Sequence, residues 1–441
     1  MAVVIALFTR DLRVHDNPML AAASRGNLVV PLFVADRRID ELGFAGHHRG
    51  AFLADCLADL DGALRARGGR LVVRRGELRH EVVRLAEQVD AAAVHVSADV
   101  SRFATGREHA LRSALAEQGR DLVVQDGVHA VHAAGALVPA GSDHFAVFTP
   151  YWRRWSDRPL RDLAPVPRRI SMPDGVAETP LPSRDDRHAL PRGGEVAGRQ
   201  RAARWLSHGL ADYADRHDLL AVDGTSRLSP YLHFGCISAV ELVARVRARG
   251  GPGAGADAFV RQLAWRDFHA QVLAARPDAA WADYRDRNRA WRDDPELLHA
   301  WQAGQTGYPV VDAGMRQLVA EGWMHNRARL ITGSFLTKTL GLDWRAGAAH
   351  FFTHLLDGDL ANNCLNWQWV AGTGTDTRPY RRLNPIRQAH RFDPDGDYVR
   401  RWVPELADLP ATVIHEPWRL PEPSRQALRY PDPVAASPPT R

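Results

Sequence analysis

The stretch Asp357–Asp376, DGDLANNCLNWQWVAGTGTD, gathers carboxylates, amides and indoles in one short segment. Asp357 and Asp359 can meet a cation or a ring N–H, Asn362 and Asn363 are fixed dipoles, and Trp367 and Trp369 offer flat faces. On a helix the two indoles stand roughly 200° apart, so one can line a cavity while the other packs behind it. Solvated loops seldom carry two tryptophans, and apolar cores seldom take this many polar groups. Together they suit a large planar heteroaromatic whose charge changes during its chemistry, with rings for stacking or electron transfer and polar groups to hold it.

Three further stretches carry candidate groups. GTSRLSPYLHFG (224–235) sets Thr225, Ser226 and Ser229 with Arg227 ahead of a helix, an arrangement that suits a phosphate as well as a plain capping segment. FVRQLAWRDFHAQ (259–271) spaces Gln262, Trp265, Arg266 and His269 by three and four, either to line a pocket or to pack Trp265 inward with Arg266 in solvent. GWMHNRARLITGSFLTK (322–338) carries His325, Asn326, Arg327 and Arg329 with no serine or cysteine tied to them by spacing. No HExxH occurs among the twenty histidines, so no metal site and no acyl-transfer site is indicated.

These groups need a scaffold, and the chain supplies two kinds. Up to about residue 130, the apolar runs 3–8, 28–35, 70–75, 92–97 and 121–126 read as strands. Helix patterns over 18–25, 47–67, 77–88 and 104–118 separate them. Asn17-Pro18 supplies an N-cap and a first-turn proline. Apolar strands alternating with helices predict a doubly wound parallel sheet of Rossmann-like type, although no GxGxxG follows the first strand. Residues 131–199 read as a connector wrapped over the surface. From 200 to 420 the patterns are helical: 200–217, 229–248, 257–275, 295–303, 311–321, 323–340, 344–356 and 361–370. Residues 421–441 form a Pro-rich tail.

The 441 residues carry a formal net charge of +5, and Lys338 is the sole lysine. A GC-rich genome explains most of that Arg bias, yet Arg also forks to phosphate and stacks on bases, so nucleic acid stays open as a partner. All thirteen tryptophans lie at or after Trp152. No apolar run reaches membrane-spanning length and the N-terminus reads as a strand rather than a signal peptide. Three cysteines without CxxC spacing predict no disulfide framework, which leaves the cytoplasm as the expected location.

Several strings, in order along the chain, resemble the photolyase/cryptochrome family: FTRDLRVHDNP (8–18), GTSRLSPYL, WRDF, TGYPVVDAGMRQL (306–318), GWMHNRARL, DGDLANN, NWQWVAGTGTD and FDPDGDYVRRWVPEL (392–406). The pattern is most like a class I cyclobutane pyrimidine dimer photolyase. The resemblance implies an α/β domain over 1–130 carrying an antenna chromophore and an all-helical domain over 200–420 holding FAD. By motif, Tyr213, Thr225, Ser226, Arg227, Leu228 and Ser229 would hold the phosphate and ribityl portion of FAD. Arg329, Asp357, Gly358, Asp359 and Asn363 would border its ring. Trp367, Trp344 and Trp291 match the family's electron-transfer chain. Gln262, Trp265, Arg266, Asn326, Trp369 and Gln388 would receive the extruded dimer.

The activity so implied is light-driven repair of UV-damaged DNA by electron transfer from excited reduced FAD to a flipped-out dimer, by a monomer with no obligate protein partner and no membrane. Extrusion costs least at a damaged step, and the Arg-rich segment 381–402 is the candidate phosphate-binding face. Two positions depart from the commonest pattern: Gln262 stands where a glutamate is usual and Leu330 where a methionine is. Gln at the first also occurs in (6-4) photolyases, but those carry histidines where this chain has Asn326 and Leu330. A cryptochrome-type photoreceptor is the other alternative, opposed by Asn363 and the short tail. For the antenna, Phe103-Ala104 replaces the Asn-Glu pair of the members that bind methenyltetrahydrofolate. The pattern is closer to the 8-hydroxy-5-deazaflavin type, with Asp36, Arg49 and Asp99 as contacts.

Overall fold

In a computed structural model, which describes residues 1–44, 46–184, 190–249 and 253–435, the five apolar runs become one parallel sheet. β1 (Val3–Phe8), β2 (Leu28–Asp36), β3 (Val72–Gly76), β4 (Ala93–Ser97) and β5 (Asp121–Gln125) lie in the order β3-β2-β1-β4-β5. Helices Pro18–Ala23, His47–Arg65, Leu78–Gln88 and Arg102–Ala116 alternate with them. The strand order runs out in both directions from β1, and with the right-handed crossovers general to parallel sheets this covers both faces with helices, in keeping with strands that carry few polar residues. The first helix starts where its cap predicts: Asn17 Oδ1 accepts from the Leu20 amide at 3.0 Å, and Pro18 opens the turn.

The chain divides into two compact units: Met1–Ala211 with Ser226–Pro277, and Asp212–Thr225 with Asp278–Arg441. The first contains the sheet and also helices Glu195–His208, Ala239–Ala248 and Ala254–Ala275. The expected helix 229–248 is two pieces, because Ser238 and Glu241 restart it as a capping box, the Ser238 hydroxyl accepting from the Glu241 amide at 3.2 Å. Helix Phe148–Asp157 has no counterpart among the elements expected from the sequence; its stripe of Phe148, Tyr151, Trp152 and Trp155 packs on the 254–275 helix. Asp267 ties that helix down, accepting from the Val131 and His132 amides and from Trp155 Nε1. Burial raises its pKa to about 6 against those hydrogen bonds.

FTRDLRVHDNP folds into a buried polar knot in this unit. The Arg13 guanidinium, 1% exposed, donates to the carbonyls of His15, Asp16, Val128 and Gly235 at 2.8–3.2 Å. Asp11 accepts from the Thr9 amide and the Ser97 hydroxyl, and Arg161 forks to Asp16 at 2.6 and 2.8 Å. Beyond Arg161 the connector lies along the unit, the Val29 amide donating to the Ser171 carbonyl and the Val73 amide to Thr179 Oγ1. Residues 185–189 of the connector and 436–441 of the tail lie outside the described residues.

The second unit is built from helices and loops, chiefly Pro309–Glu321, Asn326–Ser334, Trp344–His354, Leu360–Ala371 and Pro385–Phe392. The expected helix 323–340 begins later, because His325 is its cap and accepts from the Arg327 amide through Nδ1. It then widens into a π-type turn over Phe335–Leu340, a departure often found at functional sites. Among the described residues, no helix is long and apolar enough to cross a membrane.

Candidate active site in the helical unit

The opening stretch folds around an open recess of about 520 Å³ lined by Asn326, Arg329, Leu330, Asp357, Asn363 and Trp367, among others. Asp359 caps the 360–371 helix, accepting from the Asn362 amide at 2.9 Å, so one acid of the DGD motif positions the helix while the other is left for the recess. Asp357 is buried and held by the Arg329 guanidinium at 2.9 and 3.1 Å. Asn363 donates through Nδ2 to the Ala348 carbonyl at 2.9 Å, which leaves its side-chain oxygen for a donor in the recess. Gly372, at φ +83, ends the helix in the left-handed conformation that favours glycine.

Trp367 is a fixed slab against this recess. Its ring meets Phe351 edge-on at 4.9 Å and Trp301 at 5.9 Å. A Cβ on Gly347 would stand 2.3 Å from Trp367 Cη2, so that helix approaches the indole only because the position is glycine, while a Cβ on Gly333 would meet the same ring at an ordinary 3.4 Å. Trp344 belongs to the same apolar cluster, is 1% exposed, and donates its Nε1–H to Asp283 at 2.8 Å. Trp291 packs on that cluster half-buried, with the Arg289 guanidinium 4.4 Å from its ring centre. The motif tryptophans thus run from a buried position to the margin of one cluster. Trp301, Phe351, Asp283 and the two glycines were missed in the sequence. The only signal was a pair of isolated glycines inside helical patterns.

Replacing Gly347 by Ala forces this packing apart. We expect a loss of about 1–3 kcal/mol of stability from overpacking, read in urea titrations, together with an altered environment of Trp367. Unchanged stability and near-UV circular dichroism would show that the helices separate freely there.

The remaining expected residues fall in both units. In the helical unit Asn326 is exposed, Trp369 is half-buried with Arg381 5.8 Å from its ring centre, and Gln388 Oε1 is buried without a hydrogen-bond partner among the described residues. Tyr213 is buried there, and Thr225 Oγ1 is likewise buried and unpartnered. Arg378, Tyr380, Arg381, Arg382, Arg387 and Arg391 are exposed. In the first unit lie Ser226, Arg227, Leu228 and Ser229, so the TSRLS motif straddles the division. Gln262 is exposed, while Trp265 stacks on Phe148 at 3.7 Å with 6° between the planes. Arg266 donates to the carbonyls of His129 and Leu232, a tie between segments.

A second polar cluster sits where the strand order reverses beside β1, the usual ligand crevice of such sheets. Asp36 ends β2, and Asp99, just past β4, meets Arg10 at 3.1 Å. The guanidiniums of Arg38 and Arg107 each lie 5.5 Å from the centre of the Phe103 ring. Thr9 Oγ1 and both ring nitrogens of His129 are buried without a hydrogen bond among the described residues, and burial followed by Arg10 lowers the His129 pKa to about 3. Arg49 instead donates to the Phe44 carbonyl.

Residues 4–170 match the model of the DNA photolyase domain, and 259–438 that of the FAD binding domain of DNA photolyase. The chain belongs to the DNA photolyase family. It is 60% identical over 440 residues to a deoxyribodipyrimidine photo-lyase of Streptomyces griseus, covering 98% of this chain and 96% of that one. Among solved structures it resembles a class III photolyase from Agrobacterium tumefaciens, with a TM-score of 0.91 at 32% identity over 99% of this chain and 95% of that chain. It also resembles a Synechocystis cryptochrome, with a TM-score of 0.92 at 29% identity over 99% and 96%.

Proposed function

We propose that the chain is a light-dependent deoxyribodipyrimidine photo-lyase that splits cyclobutane pyrimidine dimers in DNA. The observation that carries this is the recess of the helical unit, where paired Asp357, Asn363 and the Trp367 slab meet in a chain whose relative of that name is 60% identical. The residues fit a flavin: a planar ring finds a carboxylate fixed by Arg329, an amide with a spare acceptor, and an indole wall. Bound FAD supplies light absorption and one-electron chemistry. Arg329, Asp357, Gly358, Asp359 and Asn363 hold its ring side. Thr225, with its unpartnered hydroxyl, and Tyr213, Ser226, Arg227, Leu228 and Ser229 hold the phosphate and ribityl side.

The chain's own groups do the rest. Trp367, Trp344 and Trp291 connect the recess to the margin of the helical cluster, and Asp283 fixes the Trp344 ring through its N–H. Trp265 of the first unit and Trp369 of the second each offer a face to an extruded dimer, and Gln262, Arg266, Asn326 and Gln388 offer polar groups; the Gln388 oxygen, without a partner among the described residues, has capacity for a donor. An amide at Gln262 donates through its NH₂ to charge developing on the dimer and cannot share a proton as a carboxylic acid can. The crevice beside β1, with Asp36, Asp99, Phe103 and the two arginines on that ring, takes the antenna chromophore, of 8-hydroxy-5-deazaflavin type rather than methenyltetrahydrofolate. Arg49, on the 47–65 helix, is the further contact of this reading and would have to leave the Phe44 carbonyl to serve it. The protein acts as a cytoplasmic monomer.

The test is illumination of the purified, chemically reduced protein with duplexes bearing either a cyclobutane dimer or a (6-4) product. Restoration of the cyclobutane substrate alone is expected. Restoration of only the (6-4) product, or of neither, would replace this reading with a (6-4) photolyase or a cryptochrome.

The exposed arginines supply a separate prediction. Changing Arg381 and Arg382 to Gln should weaken binding to any duplex and flatten the plot of log K against log[salt] by about 0.9 for each phosphate no longer neutralised. Repair per bound complex should be unchanged. Salt titrations of binding by fluorescence anisotropy check this.

A further inference from the structure

We propose that Arg261 is a preordered phosphate-binding group for the DNA strand beside the lesion, and that it is mechanically backed by the same aromatic stack that backs Trp265. This rests on the DNA-repair reading and adds a residue that no motif names. Arg261 lies on the exposed side of the 254–275 helix, one turn before Trp265. Its guanidinium sits 5.2 Å from the centre of the Phe148 ring and 5.7 Å from that of Trp152. Phe148 in turn is stacked face to face on Trp265 at 3.7 Å, and Trp152 is stacked on Trp155 at 5.4 Å. Trp155 is fully buried and anchored to Asp267 through its N–H. The base of the stack is therefore rigid.

What makes Arg261 a ligand-binding group rather than a structural one is the lack of any acid on it. Most of the buried and half-buried arginines of this unit are committed to carboxylates or carbonyls, as with Arg13, Arg161, Arg199 and Arg266. Among the described residues Arg261 makes no hydrogen bond or ion pair, and it is exposed. Arg153 and Arg154, exposed on the 148–157 helix beside Trp152, likewise lack an ion pair or side-chain hydrogen bond among the described residues. An exposed arginine ordinarily loses much rotamer freedom on binding. One already laid on two aromatic faces loses less, and the planar fork suits a phosphate. The charge is cationic, the partner class of the family is DNA, and the adjoining helix face carries more cationic charge. The occupant is a backbone phosphate flanking the extruded dimer.

The experiment measures binding of the flavin-loaded protein to a dimer-bearing duplex and to its undamaged twin across a salt series, for the parent, Arg261→Gln and Trp152→Leu. Arg261→Gln should flatten the salt dependence by about 0.9 and weaken binding at 0.1 M salt by about eightfold, the value of one released counterion at that concentration. Trp152→Leu should weaken binding with the salt slope retained, because charge stays and preorder is lost. A scan of single neutral methylphosphonate linkages on either side of the dimer should find one that weakens the parent and leaves Arg261→Gln unaffected. If Arg261→Gln keeps the parent's slope, or no neutral linkage distinguishes the two proteins, Arg261 is only a stacking residue and the proposal falls. If the parent itself does not prefer the dimer-bearing duplex, the repair reading fails first, a result separable from the former. Unchanged flavin content in both variants controls for folding.

Discussion

In the Trp367→Phe variant, blue light should leave bound, oxidised FAD almost entirely oxidised, while protein reduced chemically beforehand still restores dimer-bearing DNA. The indole lines the recess wall, and Phe351, Trp301, Gly333 and Gly347 pack against it. Phenylalanine fills most of the same slot, so the fold should survive with a stability loss of about 1–3 kcal/mol from the vacated volume. It lacks the easily oxidised indole, so the route from Trp291 and Trp344 is cut at its inner end. Dimer repair does not use that route once the flavin is reduced. The two activities should therefore separate in one variant, followed by absorbance for reduction and by a restriction-site assay for repair. Normal light-driven reduction in this variant would remove Trp367 from the chain and leave its ring neighbour, Trp301, as the next candidate.

The second large effect is structural. Arg13→Ala should lose about 3–5 kcal/mol, because it removes a buried cation from between Asp11, Asp16 and Glu195 and leaves four carbonyls without donors. Domains are stable by about 5–15 kcal/mol, so this approaches the threshold at which the unit stays folded. Arg13→Lys should recover part of the loss, since it restores the charge but lacks the planar fork needed to reach carbonyls on both sides. Urea denaturation followed by far-UV circular dichroism measures both. Equal, small losses in the two variants would mean that water replaces the guanidinium and that the knot is not a single unit.

Much of this molecule is legible locally. The five strands fall within two residues of their expected limits because continuous apolar runs and their flanking helices are short-range patterns. Asn17 marks a helix start, as expected, by capping an amide only three residues away, whereas Ser238 and Asp359 cap at the same spacing without having been read as caps. Asp357, Asn363 and Trp367 were identifiable as a group because one loop and one helix carry all three. Where propensity is weak, the sequence said less: FTPYWRRWSD has an aromatic stripe of helical period but few good helix formers, and it becomes a helix by packing that stripe on the 254–275 helix. The interactions that give the site its geometry join residues far apart in the chain. Asp283 reaches Trp344 across 61 residues, Trp301 meets a ring 66 positions later (301 to 367), and Arg13 finds the carbonyls of Val128 and Gly235. Periodicity and caps record what each segment does with its own neighbours, so the chain by itself pointed to which residues gather around the recess. How closely Gly347 lets a second helix approach Trp367, and which acid holds Trp344, depended on the chain's return, and only the tertiary structure decided them.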